Sequence, residues 1–225
     1  MQIEIVHGPG NSAARVHLDK GEQLTAESGA MIAMSGDMDV TTTTHKRSGG
    51  GMLKAVKRKL GGESFFLNHY VAPTGGEVLL ATSLPGDMLA MALEHTNLIV
   101  QSGSYVASAE GIEVDLGWQG FKSLFSGEGM FWLRLSGQGH IVLSSFGAIY
   151  PIEVDGEYVV DTGHIVAFDD TLDFSLSKAG SSWLHSILGG EGLVCRFKGK
   201  GTVWCQSHQP RGFGLALRPH LRPVG

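Results

Sequence analysis

Gln101-Ser102-Gly103-Ser104-Tyr105-Val106-Ala107 opens the stretch that decides the fold, because two other parts of the chain restate it. After a small apolar insert, Gly120-Phe121-Lys122-Ser123-Leu124-Phe125, it resumes at Gly127-Glu128-Gly129 with Met130-Phe131-Trp132-Leu133-Arg134-Leu135. It then passes Gly137-Gln138-Gly139 and runs on as His140-Ile141-Val142-Leu143-Ser144-Ser145. The earlier copy reads Glu27-Ser28-Gly29-Ala30-Met31-Ile32-Ala33, then Gly62-Glu63-Ser64-Phe65-Phe66-Leu67, then Thr74-Gly75-Gly76 and Val78-Leu79-Leu80-Ala81-Thr82. The later copy reads Asp161-Thr162-Gly163-His164-Ile165-Val166-Ala167, then Gly190-Glu191-Gly192-Leu193-Val194-Cys195, then Gly199-Lys200-Gly201-Thr202-Val203-Trp204-Cys205-Gln206-Ser207. Self-similarity of this kind marks one supersecondary unit used several times. Short apolar runs bounded by glycines spell strands rather than helices. The chain is therefore expected to be all-β, one domain over residues 1–210 with internal repeats at about 20–93, 94–153 and 154–207, followed by a basic tail over 211–225.

Alternation carries the detail. Ile3, Ile5, Val16 and Leu18 alternate with polar residues around Gly8-Pro9-Gly10-Asn11-Ser12, the pattern of a hairpin. A lead-in precedes each repeat: Asp19 to Leu24, the looser Glu94 to Ile99, and Val154 to Val159. Each reads as a polar turn that delivers a strand into a small-residue corner at Gly29, Gly103 or Gly163. The glycine-flanked turns predict three further hairpins. Centred on Gly75, Gln138 and Lys200, they set Tyr70 opposite Leu80, Leu133 opposite Leu143 and Cys195 opposite Cys205. One face is then apolar in all three, as a shared core requires. The two cysteines are expected to be buried, reduced thiols facing each other, since free cysteine behaves as a small hydrophobe.

The inserts depart from strand character. Met52, Leu53, Val56 and Leu60 share one helical face, as do Phe121, Leu124 and Phe125 in the second insert and Trp183, Leu184, Ile187 and Leu188 in the third. Segments this short are not stable helices alone in water, so each must dock on the domain or on a partner. Lys54, Lys57, Arg58 and Lys59 border the first stripe, and no acidic residue lies between Asp39 and Glu63. These stripes, with Lys57 and Arg58, form the candidate interaction surface.

Composition limits the remaining classes. The 225 residues carry a formal charge of −5, with 42% hydrophobic residues and a mean hydropathy of +0.06. That charge disfavours a nucleic-acid partner, whose affinity comes from basic side chains displacing counterions. No secretory leader is visible, and no run approaches the ~20 apolar residues that span a bilayer, so the chain reads as cytoplasmic or peripheral to a membrane. The ten histidines are scattered, without His-x-His, His-Glu-x-x-His or Cys-x-x-Cys spacing. His164 with Asp169, Asp170 and Asp173 is the one local group, and it reads as a solvated turn. No nucleophile elbow or phosphate loop occurs. Glu63, Glu128 and Glu191 recur at one place in the repeat, which suits strand entry better than catalysis.

Ser28-Gly29-Ala30-Met31, Gly49-Gly50-Gly51, Gly62 to Asn68 and Ser126-Gly127-Glu128-Gly129, in this order, resemble one widespread family over nearly the whole chain. It comprises bacterial and archaeal proteins of unknown function and a fungal mitochondrial biogenesis protein named for altered inheritance of mitochondria. The family is similar to the superfamily of the tryptophan RNA-binding attenuation protein. That likeness implies a TRAP-like β-sandwich or double-stranded β-helix. The mitochondrial relative is associated with inner-membrane organisation. The resemblance brings no catalytic residues, and the attenuator's RNA and tryptophan sites find no matching motif here.

Taken together, these features predict a non-enzymatic scaffold or interaction protein without metal, cofactor or catalytic residues. Its expected partners are further copies of itself, with a trimer as the candidate assembly, and a protein or membrane surface. RNA binding and small-ligand binding in a barrel-like interior are the alternatives; sequence-specific nucleic-acid binding is not expected.

Overall fold

Each of the three copies contributes the same six strand positions, here lettered a to f. Position a is β2 (Ala13–Leu18), β8 (Met88–Glu94) or the first half of β13 (Ile149–Asp161). Position b is β3 (Gln23–Glu27), β9 (Leu98–Gln101) or the second half of β13. Positions c and d are β4 (Met31–Met34) and β5 (Asp39–Thr44), β10 (Tyr105–Ala109) and β11 (Ile112–Asp115), and β14 (Ile165–Asp169) and β15 (Asp173–Lys178). Positions e and f are β6 (Phe66–Val71) and β7 (Gly76–Leu80), the two halves of β12 (Trp132–Ser144), and the two halves of β16 (Leu193–Gln206). β1 (Gln2–Val6) forms the expected hairpin with β2, Ile3 opposite Val16 and Ile5 opposite Ala14. The computed structural model describes residues 1–44, 65–116, 131–178 and 193–221.

In every unit, e lies between b and d, while f lies between a and c, all antiparallel. Strand c is bulged against f at one shared place: the register slips between Met31 and Ala33, between Tyr105 and Ala107, and between Ile165 and Ala167. A bulge at the same position in all three copies is a built feature that sharpens the local twist. The corner before it is a 3-10 turn at Ser102–Ser104 and again at Thr162–His164. Neighbouring units are joined by pairing b of one to c of the next: β3 to β10, and β9 to β14.

The three glycine-flanked hairpins are not formed, and the Cys195–Cys205 register with them. β12 and β16 run straight through Gly137–Gly139 and Gly199–Gly201, so each carries e and f on one continuous strand. In the first unit the strand breaks between β6 and β7, but the two do not pair with each other; β6 joins β3 and β5, and β7 joins β2 and β4. The third lead-in is likewise no turn, since β13 continues through Gly156. Alternation could not reveal this. Positions five before and five after a turn centre share parity, so folding back and running on present the same apolar face. The pairings also shift the equivalence by two residues: Leu24 with Tyr70, Leu98 with Leu135 and Tyr158 with Phe197 make Leu135 and Phe197, not Leu133 and Cys195, the counterparts of Tyr70.

In β12 the glycines serve close approach instead of reversal. A Cβ on Gly137 would sit 2.2 Å from the Gly111 carbonyl oxygen, and Gly137 itself has φ +109°. The core divides by unit. Val16, Leu24, Tyr70, Val78 and Leu80 anchor the first cluster, Leu98, Leu133, Leu135, Ile141 and Leu143 the second, and Phe168, Cys195, Phe197, Val203 and Cys205 the third. Each fully buried aliphatic or aromatic side chain contributes about 1.5–3 kcal/mol.

A pair of substitutions separates backbone strain from overlap. Gly156 has φ +108° with open space where its Cβ would lie. Gly156→Ala is expected to cost about 1–3 kcal/mol from conformation alone. Gly137→Ala adds backbone overlap and is expected to cost at least about 2 kcal/mol more, the range of overpacked sites. Urea unfolding midpoints read both; equal losses would contradict a close strand approach at Gly137.

Candidate interaction surface

The one local group of polar residues resolves into structural ties. His164 Nδ1 lies 2.8 Å from the Gln206 carbonyl oxygen. Asp169 Oδ2 accepts from the Thr202 backbone N–H at 2.7 Å, tying β14 to β16, and burial pushes this carboxyl above the usual carboxylate range. Asp170 pairs with Arg134 at 2.8 Å and accepts from the Asn97 amide, linking the third unit to the second. Asp173 simply opens β15. Gln206 closes the third corner: its amide donates to the Gly163 carbonyl at 3.0 Å and its oxygen accepts from the Phe146 N–H at 2.9 Å. Among the described residues no group of three or more His, Cys, Asp and Glu side chains could hold a metal ion.

The cysteines are both buried and free, but they do not face each other. They lie ten positions apart on β16, roughly 30 Å of extended chain. Cys195 pairs with Val160 and Leu176, Cys205 with Tyr150 and Ile165. No bridge between them fits one strand, because bonded cysteines need Cα atoms within about 7 Å. Burial pushes both thiols up to about 12.

The sequence-predicted surface residues Met52, Leu53, Val56, Lys57, Arg58, Leu60, Phe121, Leu124, Phe125, Trp183, Leu184, Ile187 and Leu188 lie outside the described residues. All three inserts join d to e of their unit. Pattern reading overlooked a second set of residues. Met31, Ile32 and Met34 of β4 and Tyr150, Tyr158 and Val159 of β13 are exposed large hydrophobics. β4 ends one sheet and β13 ends the other, so each presents an outer edge with no strand against it among the described residues. A third exposed set lies on α1 (Pro210–Leu217), where Leu215 and Leu217 are open and Phe213 touches the Phe146 ring edge-on at 5.2 Å.

An antiparallel all-β chain of three recurring units, with its one local polar cluster engaged in structural ties and exposed apolar side chains on the sheet-end strands β4 and β13, defines a class of protein better than it defines a reaction. The model of the family described as mitochondrial biogenesis AIM24 matches residues 3–208, and the chain belongs to that family. An uncharacterised protein of Streptococcus pyogenes serotype M6 is 28% identical over 212 residues, covering 92% of this chain and 85% of the relative. The crystal structure of another Streptococcus pyogenes protein superposes with a TM-score of 0.80 at 25% identity, covering 98% of this chain and 99% of that one. The likeness thus extends over the whole architecture.

The thiol environment gives a direct test. With both groups pushed up to about 12, the thiolate that reacts is nearly absent at pH 8. Neither cysteine should be alkylated by iodoacetamide in the folded protein, and both should be in denaturant, read by intact mass. Because the folded values are raised, the thiols favour folding below pH 9 and oppose it as pH rises towards 12. Rapid native labelling, or an intramolecular disulfide after mild oxidation, would contradict this placement.

Proposed function

We propose that this protein is a non-enzymatic scaffold or interaction protein that acts through its surfaces. One observation carries the reading: most of the described exposed large apolar side chains gather on the sheet-end strands β4 and β13 and on α1, with Val40 and Leu221 besides, while His164, Asp169 and Asp170 of the one local cluster are engaged in structural ties. A large apolar side chain left in water at a sheet end favours whatever covers it. The partners this reading supplies are further copies of the chain, with a trimer as the candidate assembly, and a protein or membrane surface.

A membrane-facing form draws support from the sequence of the first insert. Its apolar stripe borders Lys54, Lys57, Arg58 and Lys59, and each basic residue near an anionic bilayer contributes about 1 kcal/mol. Among the described residues no helix is long and apolar enough to cross a membrane, so the association proposed is peripheral.

Cosedimentation with phosphatidylserine vesicles tests this form, using wild type and the single variants Leu53→Ser, Phe125→Ser and Leu188→Ser. Wild type should pellet with the vesicles at low salt and be released as salt rises. The variants that keep their circular dichroism spectrum should bind at least several-fold more weakly. Wild type that stays in the supernatant at low salt, or folded variants that bind unchanged, would remove the membrane reading.

A further inference from the structure

Two of the four sheet ends, β4 and β13, carry the strand positions that the chain pairs with each other inside itself. Inside the chain, b of one unit pairs with c of the next in a fixed register. Ala26, Thr25 and Leu24 stand opposite Ala107, Ser108 and Ala109. Val100, Ile99 and Leu98 stand opposite Ala167, Phe168 and Asp169. The third unit offers its own b strand, Tyr158, Val159 and Val160, and the first unit its own c strand, Met31–Met34, but neither edge is taken among the described residues.

Exposure shows what the joint does. At the joined positions Leu24 and Leu98 are 1% exposed, and Val106 and Val166 are fully buried. At the open ends the equivalent residues are Tyr158 at 46% and Ile32 at 55%, with Val159 at 43%. The cores agree. The first cluster takes in Val106 and Ala107 from the second unit, and the second takes in Val166 and Ala167 from the third. The third cluster receives no such pair from the first unit. Charge does not bar the approach. Glu157, the acid beside the b segment, is held sideways by Arg196 and by Lys198 at 3.0 Å on β16, and Met31 to Met34 carry none. Natural sheets usually blunt an edge with charge, proline or a cover; the facing segments, Met31–Met34 and 158–160, carry neither charge nor proline and have no strand over them among the described residues, while Glu157 and Asp161 flank the second.

We infer that a second copy of this chain completes the joint. The β4 strand of one copy adds antiparallel to the outer edge of β13 on another, with Ala33 opposite Val160, Met34 opposite Val159 and Ser35 opposite Tyr158. Ile32 and Ala33 then enter the open flank of the third core, as Val106 and Ala107 enter the first. The contact is head-to-tail, so it builds a ring if the rotation closes and a filament if it does not. This rests on the interaction reading above. A protein that pellets with vesicles yet stays monomeric would keep that reading and remove this one.

The test uses the full chain and two single-cysteine additions, Met34→Cys and Val159→Cys, both at exposed positions. Mixed under mild oxidation, they should give a disulfide dimer of unlike chains, identified by mass spectrometry of the linked peptides. Replacing Val159→Cys by Val160→Cys turns the thiol to the other face and should reduce that dimer at least tenfold. Light scattering on a sizing column should show wild type at a multiple of the monomer mass, and Ile32→Lys or Val159→Lys should return it to monomer mass with unchanged circular dichroism. A monomeric wild type, no unlike-chain disulfide, equal yields from the two registers, or linkage within a single chain carrying both cysteines would overturn the inference.

Discussion

A strand with a bare edge holds a row of backbone donors and acceptors that only another strand can satisfy without water. In every unit of this protein the outer sides of b and c are two such edges, and the way units join follows from pairing them. Within a unit, e and f saturate the inner sides, and because e and f share one strand in the second and third units, both layers are fixed by a single piece of backbone. Between units, b reaches c of the next and the apolar residue at the bulge crosses into the neighbouring core. The cores of neighbouring units thereby share side chains, which suits units of roughly 60 residues that would be marginal alone.

The repeat unit, the all-β class and the small-residue corners were legible because they depend on local spacing: Ser28-Gly29-Ala30, Ser102-Gly103-Ser104 and Thr162-Gly163-His164 each turn the chain at the same point. The path of the long strands was not legible. Gly137-Gln138-Gly139 has the composition of a hairpin turn, and the parity of Leu135, Ile141 and Leu143 is the same whether the chain reverses or continues. What distinguishes the two is the partner of each residue, which a single sequence does not record. Gly111 against Gly137 shows the cause: the glycine pair permits a close approach of β12 to the chain entering β11, and a reversal is only one of the conformations such residues allow.

The candidate surface divides in the same way. Helical spacing pointed to the stripes at Met52 to Leu60, Phe121 to Phe125 and Trp183 to Leu188. The sheet-end strands escaped notice because Met31-Ile32-Ala33 reads like Tyr105-Val106-Ala107, which is buried. Exposure at Ile32 comes from its unit standing first in the array, a property of assembly that no local pattern encodes. The signal that could have found it is arithmetic: three units with two edges each leave one b and one c over. Membership in the mitochondrial biogenesis AIM24 family accords with a shared architecture, and its uncharacterised streptococcal relative supplies no reaction to place here.

The central claim is that the outer edges of β4 and β13 are joints rather than finished surfaces. Hydrogen–deuterium exchange followed by mass spectrometry at two protein concentrations, about a hundredfold apart, addresses it directly. Peptides spanning 105–109 and 165–169, inside the chain's own joints, should be protected at both. Peptides spanning 31–34 and 157–161 should exchange rapidly in the dilute sample and become protected in the concentrated one. Rapid exchange of these two segments at both concentrations, matching that of the exposed α1, would contradict the account.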